Sequence, residues 1–191
     1  GDVRKHGVAA TWGGREGRHL DVFTTDASKD DVRFTGDLRN SLSDVSKGSL
    51  MIFADFLAWD SANPRAVYGR LVPTYLTLVY VSPTTSHWAF AVERPVPESA
   101  MAGYAPSERS ADAWRAVYAR ARGDLEALAR TQRDLTPTVL EAKLAVLHYR
   151  EKSMLACFQR GVPFSKVTKH YRKVKHCKQD MFHEAKPDKT I

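Results

Sequence analysis

Tyr75-Leu76-Thr77-Leu78-Val79-Tyr80-Val81-Ser82-Pro83-Thr84-Thr85-Ser86-His87-Trp88-Ala89-Phe90-Ala91-Val92 is the stretch on which the fold turns. Its first seven residues are rich in Thr, Tyr and Val, which favour extended backbone. Ser82–Ser86 is turn chemistry, and His87–Val92 supplies a returning strand. The stretch reads as a small β-hairpin, with a helix as the competing reading.

Upstream, residues 1–36 form an extended polar arm, with Gly13-Gly14 and the acidic run Asp26–Asp31. Leu20–Thr24 alternates weakly. Asp37 is placed to cap a short helix using Leu38, Leu42 and Val45, which Gly48 ends. Ser49 then opens a helix carrying Leu50, Phe53, Ala54 and Leu57 at helical spacing, with Phe56 and Trp59 widening the stripe. Asn63-Pro64 is a further start signal, continued by Val67, Tyr68 and Leu71 as far as Pro73. Downstream, the prolines at 95, 97 and 106 make residues 94–107 a connector.

The C-terminal part is patterned more regularly. Ser110 caps a helix with Trp114, Val117, Tyr118, Ala121, Leu125 and Leu128 on one face. Thr136-Pro137 starts a second, with Thr138 and Glu141 spaced as a capping box, and Gly161 ends it. Pro163 and Ser165 open a third, with Val167, Tyr171, Val174 and Met181 as a narrow apolar stripe. The expectation is a mainly α chain in three parts. Residues 1–36 are the arm, 37–107 a mixed helical segment with the hairpin, and 108–191 a three-helix unit with a basic C-terminal helix and tail.

Charge is distributed unevenly. Residues 143–191 carry 12 Lys+Arg against 4 Asp+Glu, whereas residues 1–142 carry 17 against 18. Lys166, Lys169, Arg172, Lys173, Lys175 and Lys178 surround the apolar stripe of the third helix. Such a cluster suits an anionic surface, whether RNA, phospholipid or an acidic protein. Val167, Tyr171, Val174 and Met181 are the candidates for packing on a partner. Trp88, near a turn, is the candidate aromatic anchor; Trp59 and Trp114 read as core.

Other chemistry finds little footing. His170, His176, Cys177 and His183 lack the paired spacing of a structural zinc site. Asp26, Ser28 and Asp30 open like a calcium loop, but Asp31 stands where glycine is needed and Asp37 where glutamate is needed. Phosphate-binding glycine loops and nucleophile elbows are missing, and Asp55 and Asp60 are a carboxylate pair of the kind helix surfaces supply routinely. No catalytic residue, metal or cofactor is therefore expected. Cys157 and Cys177 are too few for a disulfide framework and read as buried thiols. The apolar runs 50–59 and 71–81 fall short of the roughly 20 residues that a membrane-spanning helix needs. Met181–Thr190 resembles the helix end and linker of a pentatricopeptide-type repeat, but the preceding helices do not recur at a fixed period, so no function is carried over.

Gly1 at the start fits removal of a leader or tag. Polar arms and a basic helix are similar to what accessory subunits of mitochondrial assemblies carry. The resulting expectation is a non-catalytic mitochondrial structural subunit, bound to other protein subunits, most readily in a respiratory-chain or ATP-synthase complex. A mitochondrial ribosomal or other RNA-contacting protein is the alternative, and a soluble enzyme is third.

Overall fold

The computed structural model describes residues 20–25, 31–57, 63–104 and 110–159. Four strands and four α-helices follow one another along the described residues. They are β1 (Leu20–Thr25), α1 (Asp31–Ser41), β2 (Val45–Phe53), α2 (Asn63–Ala66), β3 (Leu76–Val81), β4 (Trp88–Val92), α3 (Ala111–Leu128) and α4 (Pro137–Gln159). Helix occupies 52% and strand 22% of the described region, and the strands join into one mixed sheet of order β1-β2-β4-β3. The fold is α/β, which corrects the mainly α expectation.

The correction comes from residues 37–57. Helix α1 starts at Asp31 and buries Phe34 and Leu38 one turn apart, with Leu42 beyond its end. Asp37 lies inside this helix and is not a cap. The Ser41 hydroxyl donates to the Asp37 carbonyl at 2.9 Å, and the chain is extended from Val45. Gly48 does not end a helix. It takes φ 92° inside β2, a conformation glycine adopts without a Cβ penalty. The Ser49 hydroxyl accepts from Ser46 N–H at 2.9 Å and donates to the Leu20 carbonyl at 2.6 Å, fastening β2 to β1 where their register shifts. Leu50–Phe53, expected on a helix, pair in parallel with Val22–Thr25. A short all-apolar run fits either period, and the partner that decides it lies about 28 residues upstream.

The hairpin is present, as antiparallel β3 and β4 with a bulge between Leu78 and Tyr80. Strand β4 also pairs antiparallel with β2. Asn63-Pro64 starts α2 as read, and a π-helical turn over Val67–Leu71 extends it, burying Val67, Tyr68 and Leu71. In the described part of the 94–107 connector a 3-10 turn spans Glu98–Met101.

Ser110 caps α3 by accepting from Ala113 N–H at 3.2 Å. Trp114, Val117, Tyr118, Ala121 and Leu125 form its buried face, as the periodicity predicts. At the start of α4 the cap is Thr136, whose hydroxyl accepts from Val139 N–H at 3.4 Å, not Thr138. Helices α3 and α4 pack together, fastened by Arg122 and Glu151 at 2.5 Å. The third helix of the expected unit lies outside the described residues.

A single core runs from Phe23 to Met154. Its densest part is aromatic. Phe53, Phe56, Tyr68, Trp88 and Phe90 have ring centroids 4.6 to 6.5 Å apart, the range in which edge-on and offset contacts add to burial.

Candidate functional site

The candidates from the sequence fall on two sides of the described boundary. Lys166, Lys169, Arg172, Lys173, Lys175, Lys178, Val167, Tyr171, Val174 and Met181 lie outside the described residues, as do His170, His176, Cys177 and His183. Trp88 is described, and it is not a surface anchor. It is fully buried, stacked on Phe56 with centroids 4.6 Å apart. Its indole N–H is buried and has no hydrogen-bond partner among the described residues.

Strand register shows what the sequence reading missed. Side chains alternate across a strand, so the pairing assigns each residue to one face. One face holds the rung Phe23–Met51–Phe90–Leu78 and the rung Thr25–Phe53–Trp88–Val81, all buried. The other holds Val22–Leu50–Ala91–Thr77 and Thr24–Ile52–Ala89–Tyr80. None of these eight residues is charged. Val22 is 50% exposed, Tyr80 43% and Leu50 36%.

A sheet covered on one side normally turns polar residues to water on the other. Here the outer side is aliphatic with two threonines and a tyrosine. Four strands at about 4.8 Å spacing and two rungs about 7 Å apart make a patch on the order of 250 Å². The bulge adds Val79, exposed beside Tyr80. Asp134 borders the patch and accepts from the Tyr80 hydroxyl at 3.4 Å. Gln132 closes the outer end of β3: its amide oxygen accepts from Val81 N–H at 2.9 Å, and its amide nitrogen donates to the Val81 carbonyl at 2.6 Å. An edge strand blunted in this way resists pairing with another strand at that end of β3.

Ionisable groups gather at the sheet end where β1 and β2 finish. Asp55 takes φ 50° after β2, and its carboxylate accepts from the Ser86 hydroxyl at 3.1 Å. His87 Nδ1 bonds the Thr85 hydroxyl at 2.7 Å. Lys143 donates to the Thr85 carbonyl at 2.5 Å, and burial pulls its pKa below the ordinary lysine value. Arg150 donates to the Leu57 carbonyl at 2.8 Å. The two cations tie α4 to loops. This geometry fastens a helix to a sheet end.

Inside, Tyr68 lies beside Asp124. Burial and then the Asp124 charge push the phenol well above its usual range. Burial also raises Asp124, offset in part by Tyr68 and Arg120. The Tyr68 hydroxyl has no partner at full hydrogen-bond geometry, so its contact with Asp124 is loose.

Helices α3 and α4 leave a groove of about 460 Å³ between them, lined by Arg122, Glu126, Leu140, Glu141, Leu144 and His148 among others. Among the described residues there is no cluster of three metal-ligating side chains, and no helix long and apolar enough to cross a membrane. The chain matches no protein-family model, no curated protein and no solved structure.

Proposed function

We propose that this chain is a non-catalytic subunit that buries the outer face of its sheet against a partner protein in a larger assembly. The observation that carries this reading is the absence of charge across both outer rungs, from Val22 to Thr77 and from Thr24 to Tyr80. What supports a contact here is position and not area: an uncharged outer sheet face stands where an antiparallel or mixed sheet ordinarily turns polar residues to water. Its size selects the occupant. A stable dimer buries roughly 800 Å² per partner, and a patch on the order of 250 Å² falls well short. It does match one apolar helix, about 10 Å across, laid over four strands. The occupant is therefore a helix of another subunit, part of a wider contact. The basic stretch 166–178 adds electrostatic attachment to an acidic neighbour, and the ionisable groups at the sheet end are engaged as tethers.

The test uses the full chain with Val22→Glu and Leu50→Lys together. The two residues are cross-strand neighbours, so the new charges pair and spare the sheet, while the face loses its apolar character. Native isolation in mild detergent, read as particle mass and RNA content, should find the unaltered chain in a large RNA-free particle. The double variant should be folded by circular dichroism and released. A wild-type particle near the chain's own mass, or twice it, would overturn the reading. An RNA-rich particle that keeps the double variant would favour phosphate contact through the basic stretch.

A further inference from the structure

We infer that the groove between α3 and α4 is a second docking site, and that it takes a basic amphipathic helix of a partner protein. The inference stands apart from the sheet-face reading and uses none of its residues. Leu140 and Leu144 lie one turn apart on α4, half-buried against the core, and Ala145 is exposed beside them. They make an apolar floor that α3 and α4 do not close over.

Charge selects the occupant. Glu126 lines the groove from α3 and Glu141 from α4, and both are exposed. Neither has an ion pair among the described residues, whereas the Arg122 guanidinium is held by Glu151 at 2.5 Å. Leaving His148 aside, one cation stands against three carboxylates, a net charge of −2. Two copies joined about a two-fold axis present the same patch to each other. Two acidic rims would then meet, and like charges across an interface oppose association. A helix with an apolar stripe flanked by Lys or Arg satisfies floor and rim together.

Shape agrees with that occupant. The furrow between two packed helices receives the side-chain ridge of a third. From Leu140 to His148 the helix rises about 12 Å, so the contact spans about two turns of the occupant. A contact this short belongs to the weak, transient class. It serves as one attachment among several in an assembly.

The experiment titrates the isotope-labelled full chain with a synthetic amphipathic peptide of Leu and Lys, about 18 residues long so that it can form a helix. Docking predicts progressive shifts of the NMR signals of Glu126, Leu140, Leu144 and Ala145. The Val22→Glu, Leu50→Lys double variant should show the same groove shifts, because the groove shares no residue with the sheet face. Glu126→Gln with Glu141→Gln, both at exposed positions, should weaken binding about tenfold and flatten its salt dependence. A peptide with Glu in place of Lys should leave the groove signals unmoved. Absent groove shifts, equal binding of the two peptides, or an affinity that the Gln variant leaves unchanged would overturn the inference. Groove shifts that grow with protein concentration in the absence of peptide would assign the groove to a second copy and overturn it too.

Discussion

The two faces of the sheet are built from the same four strands, one residue out of step. Met51 and Phe53 are fully buried, while Leu50 and Ile52, alternating with them, remain partly open. The inner rungs are aromatic and interlock with helices. The outer rungs are mostly aliphatic with Thr24 and Thr77 among them, contain no charge and have Tyr80 as their only ring. Hydrophobicity alone therefore does not say which face is core. What separates them is side-chain volume and ring geometry on one side, and small or β-branched residues on the other. An outer face built for water would carry Lys, Glu or Arg at these positions.

Removing an inner ring is the largest perturbation. Phe53 is fully buried and contacts Phe34, Phe56 and Phe90 at centroid distances of 5.7 to 6.1 Å. Phe53→Ala should cost about 3–5 kcal/mol in urea unfolding, from lost transfer energy plus a cavity that ring packing cannot close. A cost near 1 kcal/mol would mean that the inner face is not the core.

Next in size is an alkaline effect beneath the same ring cluster. Tyr68 in the folded chain keeps its proton to higher pH than in the unfolded chain, where it titrates near 10.0. Above that pH the unfolded state has released a proton that the folded state retains, so stability falls as pH rises. The slope approaches about 1.4 kcal/mol per pH unit until the folded phenol ionises. Tyr68→Phe should remove this slope, read from urea midpoints between pH 9 and 11.

How much of this was legible follows from which contacts are local. Ser110, the 114–125 stripe and Thr136-Pro137 located α3 and α4 within a residue or two, because caps and helical periodicity are written within a few residues. The hairpin was legible for the same reason, from Ser82–Ser86 and the Thr, Tyr and Val content before it. Strand β2 was not. Leu50, Phe53 and Leu57 fit a helical spacing, and parallel pairing with Val22–Thr25 is a long-range event that local pattern does not encode. Missing β2 hid the outer face, since a hairpin alone has no four-strand rung. A signal was nonetheless present: Leu50–Phe53 and Trp88–Val92 are apolar at both parities, the mark of strands apolar on both faces. Trp88 misled because proximity to a turn in sequence was read as proximity to solvent, whereas its pairing between Phe53 and Val81 puts it on the buried face of the sheet.

A smaller effect sits at the edge of the outer face. Gln132→Leu keeps the bulk but removes both hydrogen bonds to Val81. Val81 N–H and carbonyl are then left to water at the strand end, which should cost about 1–2 kcal/mol. It should also speed hydrogen exchange at Val81 without changing exchange in β1 and β2. If exchange rose across the whole sheet, Gln132 would be holding the sheet together and not capping one strand.

The smallest expected change in stability is on the outer face itself, and there the comparison is sharpest. Val22 is half-exposed, and the next residue, Phe23, is 8% exposed on the inner side. Val22→Thr keeps β-branching and so the strand preference. It removes little buried surface and should shift unfolding by no more than about 0.5 kcal/mol. If the same substitution cost about 2 kcal/mol or more in the isolated chain, the face would already be sealed by this chain, and a partner helix would have nothing to cover. A near-zero cost alone, joined to stabilisation of the wild-type chain within its native particle, means that the apolar character of Val22 is used between molecules and not within one. That difference between isolated and assembled chain, measured at one residue, separates a face that folds the protein from a face that joins it to another.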